Sequence, residues 1–388
     1  MQAFKSKIEY ILKHNTIINL VFKYIFSTLI RIWGVFFPVD DKAIIFSGHG
    51  RKYNDSPRTI YEYLIKQPEF QDFRYIWALD DPEGTRIPGR CSKVKIDTFK
   101  YFRATLICKY WIACVNIERG LKYKKKKTIY LNTWHGSPIK TIGNAAARRN
   151  DYDFSHIDYF CSSGQYEKEI YIRDFHLRPE SIINTGLPRN DELYHFTQDE
   201  AINTKTELDI PIDKKVILYV PTWRDSSDKG KTYTIRPPIN ISLWMDKLEN
   251  DYVMLFRMHP YTSKLLGIQF NSFIRDYTSY YNINDLLKIS DILISDYSAI
   301  LFDFSIIERP MICFGYDYNS YAKERGLYIN LEEVIPGGVL KTEGAVIDRI
   351  LNCEWDKECE LTRIFKRKYL EHGGNATKEC INSLFSRM

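Results

Sequence analysis

Several short motifs that mark common enzyme classes are missing from this sequence. There is no GxxxxGK(S/T) loop and no GxGxxG fingerprint, which argues against a P-loop kinase and a simple dinucleotide-binding enzyme. There is also no GxSxG elbow and no HExxH or HxxxH pattern, so neither a serine hydrolase nor a histidine metal site is expected.

Paired cysteines and a secretory leader are absent as well. The 8 cysteines form no CxxC pair, so a zinc knuckle is not expected. The segments around Cys108, Cys114, Cys161 and Cys313 are apolar, which predicts small buried thiols. No signal peptide with a small-residue cleavage site is visible, and this favours a reducing cytoplasm.

Length and charge narrow the class of protein further. A chain of 388 residues exceeds one ordinary core, which predicts about two domains. The formal charge of +6 suits an anionic partner, such as a membrane surface or a phosphorylated substrate. No nucleic-acid-binding signature accompanies this charge, so nucleic acid is not an expected partner.

The first 38 residues are expected to form a membrane-associated helical segment. From Thr16 to Phe37 the chain is apolar except for a narrow stripe that recurs every four positions: Asn19, Lys23, Ser27 and Arg31. Two charges inside the stretch disfavour a spanning helix and favour one lying in the interface, near anionic headgroups. The alternatives are a helix packed on the first domain or against another subunit. A basic block, residues 122–127, is either a second contact with the same surface or a solvated loop.

After Pro38 the chain alternates short apolar runs with helical stretches, which predicts parallel sheets with both faces covered. A Pro- and Asp-rich interval at 209–215 interrupts this alternation, and we predict an α/β protein of two doubly wound domains, 39–205 and 206–388. The predicted strand ends lie in the following segments: 43–50, 74–84, 110–116, 128–136, 159–164, 216–225, 252–260, 292–299 and 310–315. Two such domains bring their strand carboxyl ends, and hence ligand sites, to one cleft.

Polar residues gather directly after these strands. His135 and Gly136 follow a strand of the first half, and Arg224, Arg257 and His259 follow strands of the second half. Across a cleft, one histidine can remove a proton from an attacking hydroxyl while the other stabilises phosphate charge. The arginines can clamp phosphate oxygens. The simpler interpretation is a buried histidine satisfied by a carbonyl, and surface salt bridges for the arginines.

The stretch Ser295-Asp296-Tyr297-Ser298 opens a predicted helix, AILFDFSIIE. Free amides at a helix start, with two hydroxyls nearby, form an anion site. The Asp296 carboxylate would repel phosphate if it pointed inward, so it is expected to cap the helix or bind a substrate hydroxyl. A plain N-cap satisfies the sequence equally well.

Taken together, these stretches resemble the CDP-glycerol glycerophosphotransferase family of teichoic acid and capsule enzymes. The matching segments run in family order from about residue 45 to 345: GRKYNDSPRTIYEYL, TWHGSPIKTIG, TGLPRNDEL, ILYVPTWRD, FRMHPY and DILISDYSAILFDFSIIERPMICFGYDYNSYAKERG. One departure is Ala299, where the family often has a second serine.

The resemblance implies a GT-B architecture at the cytoplasmic face of the membrane and transfer of an alditol phosphate, usually glycerol phosphate, from a CDP-alditol. The implied acceptor is an undecaprenyl-diphosphate-linked saccharide or a growing polymer, with CMP released. The family histidines match His135 and His259, and the donor is implied near Arg224, His259 and residues 295–298. Ribitol phosphate transfer, sugar transfer by a GT-B glycosyltransferase and a polymer-binding scaffold are the alternatives. Primase or polymerase action, a role for Mg²⁺ and a homo-oligomeric state are left open.

Overall fold

Two parallel β-sheets, each with helices on both faces, organise the chain as predicted. The structure is a computed structural model that describes residues 15–146, 152–222, 238–258 and 269–386. Within these residues the architecture is α/β and GT-B-like, with one doubly wound sheet in each half.

The first sheet has 7 strands in the order β3-β2-β1-β4-β5-β6-β7, all parallel. Its central strand β1 is fully buried over Ala43–Phe46, because helices cover both faces of the sheet. The strands are β1 (Asp40–Ser47), β2 (Arg74–Leu79), β3 (Cys91–Lys95), β4 (Cys108–Ala113), β5 (Ile129–Asn132), β6 (Tyr159–Ser162) and β7 (Ile182–Asn184).

The second sheet has 6 strands in the order β10-β9-β8-β11-β12-β13, again all parallel. Its strands are β8 (Lys215–Val220), β9 (Tyr252–Phe256), β10 (Ile274–Asp276), β11 (Ile292–Ser295), β12 (Met311–Phe314) and β13 (Val339–Leu340). The strand order reverses between β8 and β11, which is where ligands bind in open sheets of this kind.

Helices connect the strands and cover both sheets. Side-chain hydrogen bonds fix the first residue of several helices. Thr197, for example, forms a capping box with Glu200 at the start of α6. The helices of the described part are α1 (Thr16–Gly34), α2 (Asp55–Leu64), α3 (Phe99–Ile107), α4 (Gln165–Phe175), α5 (Asp191–His195), α6 (Gln198–Glu207), α7 (Ile241–Leu248), α8 (Ile283–Ile289), α9 (Ile300–Ser305), α10 (Tyr318–Arg325), α11 (Leu331–Val334), α12 (Glu343–Leu351), α13 (Trp355–Tyr369) and α14 (Ala376–Phe385).

Three helices pack on a different domain from the one predicted by their position in the sequence. Leu193 and Ala201, on α5 and α6, lie in the core of the second sheet although the predicted limit of 205 placed them in the first domain. Helix α14 returns to the first sheet, where Cys380 and Leu384 join its core and the Phe385 ring lies 4.6 Å from that of Tyr110. The chain therefore crosses between the domains twice, since packing rather than sequence order assigns these helices.

Helix α1 lies on the first domain by a narrow face. Ile30 is in the core there, and the Ser27 hydroxyl, 5% exposed, accepts a hydrogen bond from the Lys122 amide at 2.9 Å. The opposite side of α1 carries eleven exposed large apolar residues: Ile17, Ile18, Leu20, Val21, Tyr24, Ile25, Phe26, Leu29, Ile32, Val35 and Phe36, the last two just after the helix. Ile17–Gly34 is the one stretch of the described chain that is long and apolar enough to cross a membrane by length and composition.

Part of the basic block at 122–127 forms ion pairs or is buried within the first domain. Lys122 pairs with Asp153, and Lys124 lies 2.8 Å from the Asp158 carboxylate. Tyr123 is buried, whereas Lys126 and Lys127 remain exposed. Only part of the block is therefore available to an outside surface.

Candidate active site

The turn after β5 presents His135 at the carboxyl edge of the first sheet. Trp134 and Gly136, on either side of it, have φ of +53° and +143°, both outside the range that most residues adopt. The buried Asn132 side chain accepts a hydrogen bond from the Trp134 amide at 2.8 Å, and this contact stabilises the unusual turn. His135 is half-buried, and its ring packs on that of His49, which lines the cavity between the domains.

The His135 ring has a defined tautomer. Its Nδ1 lies 2.8 Å from the carbonyl oxygen of Cys114, and because a carbonyl only accepts, Nδ1 carries the hydrogen. Burial and, to a smaller extent, the His49 ring, 4.7 Å away between centroids, together lower the pKa of His135 to about 4. At neutral pH the ring is therefore uncharged, with its lone pair on Nε2, which is the state that a general base needs.

A buried carboxylate supports the far side of the same turn. Ser137 donates its hydroxyl to Glu167 of α4, and the Ser163 amide donates to the other oxygen of Glu167 at 2.6 Å. Glu167 is 0% exposed, and burial raises the pKa of its carboxyl group. The turn is thus held from β5, β6 and α4, which limits the movement of His135.

Arg189 joins this turn to the second domain. One guanidinium nitrogen donates to the His135 carbonyl at 3.1 Å and to Asp55 at 3.0 Å, and the other donates to Asp303 of α9 at 2.6 Å. Asn190 donates to the second oxygen of Asp303 at 2.7 Å. Burial lowers the pKa of Arg189, but the two carboxylates outweigh this and raise it, so the side chain stays charged between the domains.

The structure places the predicted residues 295–298 beneath the cleft rather than open to it. Ser295, Asp296 and Tyr297 are each at most 2% exposed. Ser295 donates to the Val220 carbonyl at 2.6 Å, and Tyr297 donates to Asp317 at 2.8 Å. Only Ser298 is half-buried at the start of α9, which spans 6 residues.

Asp296 has an identifiable structural contact. Its carboxylate accepts the Thr222 amide at 2.9 and 3.1 Å and the Tyr297 amide at 2.6 Å, so it stabilises the loop that follows β8. The expectation that Asp296 caps the helix is wrong, because the cap residue of α9 is Ala299. Binding of a substrate hydroxyl by Asp296 stays a prediction. The carboxylate faces the backbone because these amides have no strand partner at the sheet edge.

Arg257 lines a cavity of about 320 Å³ between the domains. It donates to the Tyr280 carbonyl at 2.5 Å, and among the described residues no carboxylate pairs with it. Burial lowers the pKa of Arg257, as expected for a cation removed from water without a counter-ion. His49, Arg58 and Arg189 line the same cavity, so three arginines converge beside the His49 ring.

Two predicted site residues, Arg224 and His259, lie outside the described residues. The expectation that His135 and His259 face each other across the cleft therefore stays a prediction. In the ranges that the structure describes, no group of three His, Cys, Asp or Glu side chains is arranged to hold a metal ion.

Sequence analysis missed the residues that hold the site together. Arg189 lies within TGLPRNDEL, a segment noted for its resemblance but not singled out for chemistry, and Asp55 lies within GRKYNDSP. His49 lies directly after β1, and its contact with the His135 ring was not predicted. Their shared position at strand ends was the available signal; their mutual contacts depend on the packing of the two domains.

Comparisons with known proteins identify the family of this chain. Residues 30–386 match the family CDP-Glycerol:Poly(glycerophosphate) glycerophosphotransferase. The chain is 36% identical over 321 residues to the teichoic acid poly(glycerol phosphate) polymerase of Staphylococcus epidermidis, covering 78% of this chain and 44% of that protein. It is 33% identical over 390 residues to the teichoic acid glycerol-phosphate transferase of Staphylococcus aureus, covering 94% of this chain and 98% of that protein.

A solved structure of the wall teichoic acid polymerase TagF is similar at 30% identity with a TM-score of 0.80, covering 98% of this chain and 97% of that chain. The chain thus spans less than half of the S. epidermidis relative's length and nearly all of the S. aureus relative's. The family match covers both sheets and every cleft residue described above. The chain belongs to the CDP-glycerol:poly(glycerophosphate) glycerophosphotransferase family.

Proposed function

We propose that this protein transfers an alditol phosphate, with glycerol phosphate favoured, from a CDP-alditol to a hydroxyl of a lipid-linked acceptor or growing polymer. Relatives named for glycerol phosphate are 30 to 36% identical to the chain. Relatives named for ribitol phosphate are 25 to 27% identical, which makes ribitol the second candidate. A TagF variant soaked with CDPG supports a CDP-linked donor in this family.

The observation that carries this proposal is the state of His135. Its neutral ring, with Nε2 as acceptor, takes the proton of the acceptor hydroxyl as that oxygen attacks the β-phosphorus of the donor. The new P–O bond forms while the bond to the bridging oxygen breaks, and CMP leaves with the electron pair. Arg257, which lines the cavity between the domains, offsets the phosphate charge, so positioning and electrostatics supply most of the rate.

Product analysis tests this function directly. Incubation with CDP-glycerol or CDP-ribitol and a lipid-linked saccharide is expected to release CMP and lengthen the acceptor by one alditol phosphate, both measured by chromatography. A GT-B glycosyltransferase would instead release a nucleoside diphosphate from a nucleotide sugar. Absence of CMP with every donor and acceptor pair would rule out the proposal.

The exposed apolar side of α1 is proposed to lie in the cytoplasmic surface of the membrane. Lys23 and Arg31 border the first domain, so the outward surface of the helix is mainly apolar. An interfacial helix of this type buries one apolar face among lipid headgroups. This orientation would hold the cleft near a membrane-borne acceptor.

The close contact between Gly136 and the second domain gives a prediction for activity. A Cβ atom added at Gly136 would lie 2.8 Å from the Cβ of Ala299, at a φ of +143° that side chains rarely adopt. Gly136→Ala is therefore expected to displace His135 and lower kcat by about 10- to 100-fold. Gly344→Ala, which meets nothing within 4 Å, is the control and should leave kcat unchanged. Unchanged kcat in the first variant would show that the turn tolerates the displacement.

A further inference from the structure

Two adjoining cavities lie beside the contact between α1 and the first domain. The outer one, about 610 Å³, is bordered by Lys23 and Arg31 of α1 and by His176. The inner one, about 250 Å³, reaches Arg51 and Asn116. Because Lys23, Gly120, Lys122, Tyr152 and Asp153 line both, the two cavities form one passage, which we name the α1 groove.

The inner end of the α1 groove meets the strands that carry the active site. Arg51 follows β1 beside His49, and its guanidinium donates to the Ser47 hydroxyl at 3.0 Å and to the Asn116 carbonyl at 2.7 Å. Asn116 is two residues beyond Cys114, whose carbonyl fixes the His135 ring. The groove therefore runs from the exposed apolar helix to the carboxyl edge of the first sheet.

Positive charge dominates the lining of the α1 groove. Its basic side chains are Lys23, Arg31, Arg51, Arg119 and Lys122, and Asp153 is its one carboxylate among the described residues. Lys122 pairs with Asp153, and Arg119 pairs with Asp97 outside the groove at 2.8 and 3.0 Å. Arg31 and Arg51 have no carboxylate partner in the described part of the chain, and burial lowers the pKa of Arg51.

The groove wall is held rigidly by a buried carboxylate. Glu118 is 0% exposed and accepts the amides of Tyr123 and Lys124 at 2.7 and 2.8 Å. Its second oxygen lies 2.5 Å from His156 Nε2. These contacts fix the loop that carries Arg119 and Lys122, so the cations are positioned before a ligand arrives and little ordering free energy is lost on binding.

We propose that the α1 groove binds the phosphate or diphosphate group of the membrane-borne acceptor and directs its hydroxyl to His135. This inference rests on the proposed function. Its support is the combination of an apolar surface at one end, the His135 strand ends at the other, and between them two arginines, Arg31 and Arg51, that no carboxylate of the described residues neutralises. Fixed arginines match the geometry of phosphate oxygens, and a volume of several hundred cubic ångströms is typical of ligand pockets.

Two substitutions with opposite charge effects test the proposal. Arg31→Gln removes a groove cation, whereas Asp153→Asn removes the carboxylate and keeps a side-chain oxygen that can accept from the Ser155 amide. Arg31→Gln is expected to raise the KM for a short-chain, water-soluble saccharide diphosphate acceptor by roughly threefold to tenfold, and Asp153→Asn is expected to lower it. Arg86→Gln, an exposed arginine outside the groove, is the matched control.

A second acceptor, the same saccharide on an alkyl chain without phosphate, separates this inference from its alternatives. Its KM should be high and unaffected by either variant. Equal effects on both acceptors, or no effect on either while CMP release is normal, would overturn the phosphate site. Loss of binding to anionic phosphatidylglycerol vesicles with unchanged KM for both soluble acceptors would assign the groove to lipid headgroups and also overturn it. Failure of the wild-type protein to release CMP would instead reject the proposed function.

Discussion

Replacing His135 with alanine is expected to lower the rate of CMP release by about 10²- to 10⁴-fold, the usual contribution of a general base. Within the described residues the ring hydrogen-bonds to the Cys114 carbonyl through Nδ1, and we expect its Nε2 to accept the proton in the proposed reaction. The fold should survive, because the turn is also held by Asn132 and Glu167. Donor affinity should change much less than kcat, since the base acts on the acceptor hydroxyl.

The matched control for this variant is His372→Ala. His372 is exposed and lies in the second crossing between the domains, where its backbone amide donates to the Ser163 carbonyl at 3.0 Å. Its loss should change the rate by less than about twofold. Equal rates of CMP release by His135→Ala and the wild type would remove the general-base role from His135.

The pH dependence adds an independent readout. Burial lowers the pKa of His135 to about 4, so the base is already deprotonated near neutrality. The rate due to this group should therefore be constant from about pH 6 upward and fall as the pH approaches 4, where the ring gains a proton. An acid limb near the ordinary histidine pKa of about 6.5 would show that the active ring is exposed, and would point away from His135.

The central strands were predictable from the sequence because burial on both faces leaves continuous apolar runs. β1, β4, β8 and β11 are strands of this kind. β4, β8 and β11 begin no more than two residues from the start of their predicted apolar segments, and β1 begins three residues before its segment. The edge strands were missed. β3 reads CSKVK and β10 reads IRD, short and polar segments whose pairing depends on neighbours already in place.

Some features of the candidate site were likewise predictable from the sequence, and others were not. His135 was identifiable because a histidine and glycine at a strand end place a polar side chain at the sheet edge. The direction of the Asp296 carboxylate was not predictable, since its position in the sequence does not reveal which backbone amide of another loop lies next to it. The Arg189 contacts join segments up to 134 residues apart in the chain, and no local pattern encodes such a meeting.

Arg189→Met is the substitution for which we expect the greatest loss of stability. The guanidinium is 16% exposed and neutralises Asp55 and Asp303, whose side chains are 8% and 10% exposed. Without it, two largely buried carboxylates from different domains face each other with no cation. Removing one partner from a buried ion pair costs about 3 to 5 kcal/mol, a large part of the stability of an ordinary domain.

Thermal unfolding measures this loss as a lower midpoint, by about 6 to 20 °C for domains of this size. Arg90→Met, at an exposed position, should shift the midpoint by no more than about 2 °C. Arg189→Lys should fall between them, because an ammonium restores the charge but cannot donate to Asp55, the His135 carbonyl and Asp303 in one plane. A midpoint for Arg189→Met equal to that of the wild type would show that the pair adds no net stability.

Combining Arg189→Met with Asp55→Asn and Asp303→Asn distinguishes the cost of unpaired carboxylates from the loss of the other contacts of the Arg189 side chain. If the cost arises from unpaired carboxylates, the triple variant should recover most of the midpoint, because the two amides carry no charge and Asn at 303 still accepts from Asn190. Its kcat should stay low, since the His135 carbonyl has lost the contact that joins its turn to α9. Recovery of stability without recovery of rate would therefore assign Arg189 to positioning of the base across the domain boundary. Recovery of both would limit its role to neutralising charge.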